Sequence, residues 1–183
     1  MRWEERLLDL FDDLEQQAEG LALAERDTLV AEQRRAEYAL VDLDARLHAS
    51  VGTGVLLNVS GLGVLDGRLV WLGDGWCLVD VDGREWIVVL GAVGWWRGLV
   101  DRGIGTAARP VTARLGVGSA LRGVAETREA VALHSTDGSI ARGVLGRVGA
   151  DFVELLGDPA RDEDDRAAVR VVPFSAVAAL CGG

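Results

Sequence analysis

Few residues in this chain have the type and spacing to do chemistry. There are two histidines, His48 and His134, and two cysteines, Cys77 and Cys181. No His-x-x-x-His, Cys-x-x-Cys or Glu-x-x-His pair brings two ligands within one turn or hairpin, so no zinc site is expected. Ser135 follows His134 directly, but strand neighbours point to opposite faces and do not make a nucleophile and its base. Gly52-Thr53-Gly54, Gly61-Leu62-Gly63 and Gly116-Val117-Gly118 do not continue into Gly-Lys-Ser/Thr; they read as turns, not phosphate loops. Asp158, Asp162, Glu163, Asp164 and Asp165 crowd one short segment. They lack the Asp-x-Asp-x-Asp-Gly spacing and closing glutamate of a calcium loop, and read as a solvated hairpin insertion. No catalytic, cofactor or metal residue is assigned, and the chain is not expected to be an enzyme.

Two other groups could recognise a macromolecule. Trp95-Trp96 beside Arg97 has the composition of an interface centre, where tryptophan and arginine are enriched, although a strand-end core explains the same pair. Trp3, Leu7, Phe11 and Leu14 step by four and three along an acidic background and give a second apolar stripe, suited to a protein partner. Arg109, Arg114, Arg122 and Arg128 give a positive balance to one segment of an acidic protein. Within it, Leu115-Gly116-Val117 resembles the turn of a helix-turn-helix. A recognition helix would put three or four side chains outward, and Gly123 is expected to interrupt one here. These four arginines are the candidate nucleic-acid contacts of the alternative reading.

The elements that must position these groups fall into a repeat. Val55 to Val79 matches Val131 to Leu155 without a gap, at a constant offset of 76 residues. Leu57/Leu133, Gly67/Gly143, Leu69/Leu145, Gly73/Gly149 and Trp76/Phe152 fall at equal places. The match resumes with Val88, Ala92 and Val93 against Val172, Ala176 and Val177. Both stretches alternate apolar and polar residues between Asp-Gly or Gly-rich turns, the signal of short hairpin strands. Residues 2–48 carry helical periodicity. Leu29, Ala36, Leu40, Leu43 and Leu47 share one side, Gly20 is a break, and Gly52 is a stop. These helices are expected either to pack on the β units or to dimerise. Between the β units, Pro110 and Ser119 can open short helices, with Gly116 and Gly118 as breaks.

A helix followed by five short, bent strands resembles the Sm/LSm-like and broader SH3-like small barrels. The resemblance is carried by Gly67-Arg68-Leu69 with Val88 to Val93, and by Gly143-Val144-Leu145 with Val172 to Val177. It implies an α+β protein: N-terminal amphipathic helices over residues 1–49, a first five-stranded barrel over 50–98, a helical connection over 99–128 and a second barrel over 129–183. In RNA-binding Sm proteins an Asp and an Asn follow that glycine and help to form a base pocket. The matching positions are Gly73 and Cys77, then Gly149 and Val153, so neither polar residue is present in either unit.

Composition sets the remaining bounds. The chain has 183 residues, 49% of them hydrophobic, which is ample for a core. All 19 basic residues are arginine, and the usage of Ala, Gly, Val, Leu, Arg and Asp points to GC-rich coding in a bacterium. The formal charge of −10 opposes affinity for phosphate backbones. The charged start and the shortness of the longest apolar run, Trp86 to Trp96, give no signal peptide or membrane span. Two cysteines make no disulfide framework and suggest free thiols in a reducing cytoplasm. The expectation is a cytoplasmic protein-interaction or scaffolding module that binds a protein partner or itself, with nucleic-acid regulation as the alternative.

Overall fold

The computed structural model of the chain describes residues 30–104, 111–157 and 169–183. The stripe from Trp3 to Leu14, Arg109 and nearly all of the acidic insertion lie outside the described residues. Two compact units are present, Met1–Asp42 and Leu43–Gly183.

In the first unit, residues 30–38 are helical, supported by an i,i+4 bond from Gln33 Nε2 to Glu37 Oε1 at 3.2 Å. The continuous apolar stripe expected from Leu29 to Leu47 is interrupted. The amides of Leu40 and Val41 turn to the carbonyls of Glu37 and Tyr38, three residues back instead of four, and the helix ends.

The second unit begins with α1 (Leu43–Ala49) and holds ten strands: β1 (Gly54–Val59), β2 (Gly63–Gly73), β3 (Trp76–Val81), β4 (Arg84–Val89), β5 (Val93–Arg97), β6 (Ala130–Ser135), β7 (Ile140–Val148), β8 (Phe152–Gly157), β9 (Val169–Pro173) and β10 (Val177–Gly182). A second helix, α2 (Val117–Thr127), precedes β6 as α1 precedes β1. Every named ladder is antiparallel, and the strand order is β5-β1-β2-β3-β4-β10-β6-β7-β8-β9.

This order corrects the expectation of two separate five-stranded barrels: the chain forms one continuous ten-stranded sheet. The joint is the β4·β10 ladder, with Ala179 opposite Val88, Leu180 opposite Ile87 and Cys181 opposite Trp86. The cores show why the halves do not separate. One apolar cluster gathers Val55, Leu57, Leu69, Val79 and Val88 from the first half and takes Ala178 and Ala179 from β10. The other gathers Leu121, Leu133, Leu145, Val153 and Leu155 and is covered by Ile87 and Val89 from β4. Each core borrows a wall from the other half, and β10 is buried at every position from Val177 to Cys181. Separating the halves would expose both seams to water.

Within the halves the register repeats residue for residue. Val55 stands opposite Gly67 as Val131 stands opposite Gly143, Cys77 opposite Val88 as Val153 opposite Val172, and Leu57 opposite Trp96 as Leu133 opposite Leu180. Even the irregularities recur. The ladder skips one residue between Val93 and Trp95, and one between Val177 and Ala179, at equivalent places. Short 3-10 turns, Leu90–Ala92 and Phe174–Ala176, join the last two strands of each half.

The connection departs from its expected form. Val111–Arg114 is a 3-10 turn, and Gly116, in an extended conformation, caps an unbroken helix through Gly118 and Gly123 to Thr127. Neither Gly118 nor Gly123 interrupts it, because Leu121 is buried against the second half and docking outweighs the local cost of glycine. A Cβ at Gly123 would meet nothing within 4 Å. Gly123→Ala is therefore expected to raise stability by about 0.5–1 kcal/mol, through the lower entropy of the unfolded chain. Urea unfolding checks this; a destabilised variant would contradict it.

Candidate functional site

Among the described residues the sheet has two unpaired edges, β5 and β9. On β5, Trp95 is 45% exposed, Trp96 is half-buried against the first core, and Arg97 is exposed. The strand ends where Gly98 takes a φ of +87°, a conformation open to glycine. Beside β5 lies a groove of about 470 Å³, lined by Leu43 and Leu47 of α1 with Leu90, Val93, Trp95 and Trp96. Its far wall is fixed by Arg46, whose Nε donates to the Val100 carbonyl at 2.9 Å and whose guanidinium pairs with Asp101 at 3.0 Å. The Val100 amide donates to Ser50 Oγ at 3.0 Å. The groove is thus held by α1 and by the chain that follows β5. Of the paired tryptophans, Trp96 joins the core as one reading of the sequence had it, and Trp95 faces water as the other had it.

At the opposite end of the sheet, β9 exposes Val169 (53%) and Val171 (62%). Sequence reasoning did not single these out. An apolar run beside an acidic insertion looks the same whether its outer edge is paired or free.

The described arginines of the alternative reading are partly gathered. Arg122 of α2 and Arg128, which caps the C-terminus of α2, line a shallow depression with Arg147 of β7, while Arg114 lies apart on the preceding 3-10 turn. The basic character is offset locally. Glu126 lines the same depression, and Arg147 is forked onto Glu154, with Nε to Oε2 at 3.0 Å and a second bond at 2.8 Å. That pair holds the Glu154 carboxyl below its ordinary range and lifts Arg147 above its own. The positions at which Sm proteins carry their base-pocket Asp and Asn offer nothing to a base. Cys77 and Val153 are fully buried, and Gly73 and Gly149 lie under the rings of Trp76 and Phe152.

The remaining chemistry-bearing groups sit at the joint. His134 on β6 is buried, its ring 5.3 Å from that of Trp86 on β4, and its Nδ1 has no hydrogen-bond partner among the described residues. Arg84 lies over Trp86 and donates to the Gly182 carbonyl across the joint. Burial pushes the His134 pKa down, and Arg142 and Arg84 push it further the same way. Cys77 and Cys181 are free and buried, and burial raises the Cys77 thiol to about 12. Among the described residues no group of three His, Cys, Asp or Glu is placed to hold a metal ion.

His134 makes a testable prediction. Its pKa is lower in the folded than in the unfolded protein, so below the unfolded value, about 6.5, the unfolded chain binds more protons. Stability should be full above about pH 6.5 and fall on acidification until the depressed folded pKa is passed. The repeat-equivalent residue is Asn58. His134→Asn should flatten this part of the stability–pH curve, measured by chemical unfolding between about pH 5 and 8. An unchanged slope would show that other groups set it.

Compared with models of protein families and with curated proteins, the chain matches none. Fold and edges together define it as a tandem β-repeat protein with one shared sheet. No described helix is long and apolar enough to cross a membrane.

Proposed function

We propose that the chain is a cytoplasmic, non-enzymatic protein-interaction or scaffolding module, and that the β5 edge with its groove is the surface it uses. The observation that carries this is Trp95: a large aromatic side chain exposed beside an apolar groove, on a strand whose outer edge pairs with no described residue. Edge strands add a partner strand through main-chain hydrogen bonds, and a neighbouring apolar groove supplies specificity. Two free, buried thiols support a reducing compartment. Trp3, Leu7, Phe11 and Leu14 remain candidates for a second contact.

The nucleic-acid reading draws on Arg122, Arg128 and Arg147 around one depression. It is the weaker, because Glu126 and Glu154 share that surface and the formal charge of −10 opposes approach. The test has two arms. An anisotropy titration on single-stranded RNA and duplex DNA at about 150 mM salt should show no binding; micromolar binding lost on Arg122→Ala would move the function to nucleic acid. A nuclease-treated pull-down should recover partners with the native chain and lose them with Trp95→Glu; equal recovery by both would reject the β5 surface.

A further inference from the structure

The internal joint states what covers a β5-type edge. In the second half, the strand equivalent to β5 is β10, and it is covered by β4 of the first half. In the second half, the strand equivalent to β4 is β9, and among the described residues nothing pairs with its outer edge or with that of β5. The chain therefore carries both members of its own joint a second time, unused, at opposite ends of one sheet. We propose that β9 of one copy pairs antiparallel with β5 of another, repeating the β4·β10 joint between molecules; the proposal rests on the reading of β5 as an interaction surface and names the partner as a second copy of this chain.

The register follows from the repeat. Ala179 opposite Val88 becomes Trp95 opposite Val172, Leu180 opposite Ile87 becomes Trp96 opposite Val171, and Cys181 opposite Trp86 becomes Arg97 opposite Arg170. Exposure supports this assignment. Ala179 and Val88 are fully buried at the internal joint, whereas Trp95 and Val171 are exposed at the free edges. Long apolar edges left open are an aggregation hazard, which pairing removes. The surroundings match as well. At the internal joint a groove of about 600 Å³ runs between β3–β4 and α2–β10, and at the β5 edge a groove of about 470 Å³ runs between α1 and β5; Leu180 lines the first and its repeat equivalent Trp96 the second. Pro173, which cannot donate to a ladder, falls one residue beyond the three pairs, a place where proline is tolerated. The Arg97–Arg170 pair opposes association, since like charges directly opposite are destabilising. Because the two surfaces differ, the contact is head-to-tail: it closes into a ring if the rotation allows and otherwise runs on as a filament.

The test uses the purified full chain. Light scattering after size exclusion, over a dilution series, should show association of the native chain. Val171→Glu spoils only the β9 end and Trp95→Glu only the β5 end, and every joint needs one of each, so either variant alone should stay monomeric, with association at least tenfold weaker than that of the native chain. Mixed in equal amounts, their intact ends should pair into a heterodimer and nothing larger. Arg97→Glu turns the repulsive pair into an attractive one and should tighten association roughly five-fold. This gain is not what a misfolded variant gives. A native chain that stays monomeric throughout overturns the proposal, while the protein-interaction reading is judged separately by its pull-down. Association that survives both glutamate variants, or a mixture that forms no heterodimer, shows a different contact and overturns it as well.

Discussion

Trp76→Ala should cost about 3–5 kcal/mol, one of the two largest single-residue effects in the protein. Trp76 opens β3 at the first residue after the turn that closes β2, with its ring buried over Gly73. Its Nε1 donates to the Leu115 carbonyl at 2.7 Å, and that oxygen also accepts from the Asp74 amide at 3.0 Å. The indole therefore fills a core position and ties the segment before α2 to the β2–β3 turn. Truncation leaves a cavity and releases that tie. Phe152 occupies the equivalent place over Gly149 but is half-buried and has no polar handle. Phe152→Ala should cost less, about 2 kcal/mol. Trp76→Phe keeps most of the packing and should lose about 1 kcal/mol, because the Leu115 carbonyl keeps its bond to Asp74. Urea unfolding of the three variants gives the ranking. Equal losses for Trp76→Ala and Phe152→Ala would show that the tie to Leu115 carries no weight.

The same pair of residues shows how much the sequence discloses. The repeat placed Trp76 and Phe152 at one structural position, and the ladders put each at the start of the third strand of its half. Strand number, hairpin turns and the Gly67/Gly143 equivalence were legible for the same reason. They rest on local alternation and on turn residues, which are written in consecutive positions. The joining of the halves was not legible. Which strand covers an edge depends on partners far apart in sequence, and β4 and β9 carry similar apolar residues although one is buried in the joint and the other is free. A cue was present in composition. The joint strand carries Ala178-Ala179, small on both faces, where the free edge carries Gly94-Trp95. Small residues on both faces mark a strand packed between two layers, and an exposed Trp95 marks one that is not covered within the chain. The candidate surface was half visible through Trp95 and Trp96. Its complement on β9 was not, since valine has the same look on a covered edge as on an open one. The continuity of α2 was misjudged because glycine's local cost, about 1 kcal/mol each, is smaller than the gain from docking an apolar face.

The second large effect falls on the repeated glycines of the second strand in each half. Gly143→Ala is expected to cost about 3 kcal/mol, and Gly67→Ala a similar amount. Neither glycine has a positive φ, so turn geometry does not explain them. The reason is contact. A Cβ on Gly143 would run into the backbone carbonyl oxygen of Leu156 on β8, and one on Gly67 into that of Asp80 on β3. Those two carbonyls are repeat equivalents, as are the side chains standing next to them, Leu155 and Val79. At Gly67 and Gly143 the neighbouring strand stands so close that only hydrogen fits between. A carbonyl within a ladder cannot swing aside as a flexible side chain would, so the strain spreads into the ladder and into the buried Leu155 or Val79 beneath it. Gly146, two strand positions along β7 from Val144, supplies the control. A Cβ there would stand at 3.4 Å from its nearest neighbours, the Cβ of Glu154 and the Cγ of Leu156, a tight but tolerable fit. Gly146→Ala should therefore change stability by less than about 1 kcal/mol. Unfolding curves for the three alanine variants decide the matter. A mild Gly143→Ala would mean that the strands separate easily at this point, and the glycine common to both halves would then need another explanation.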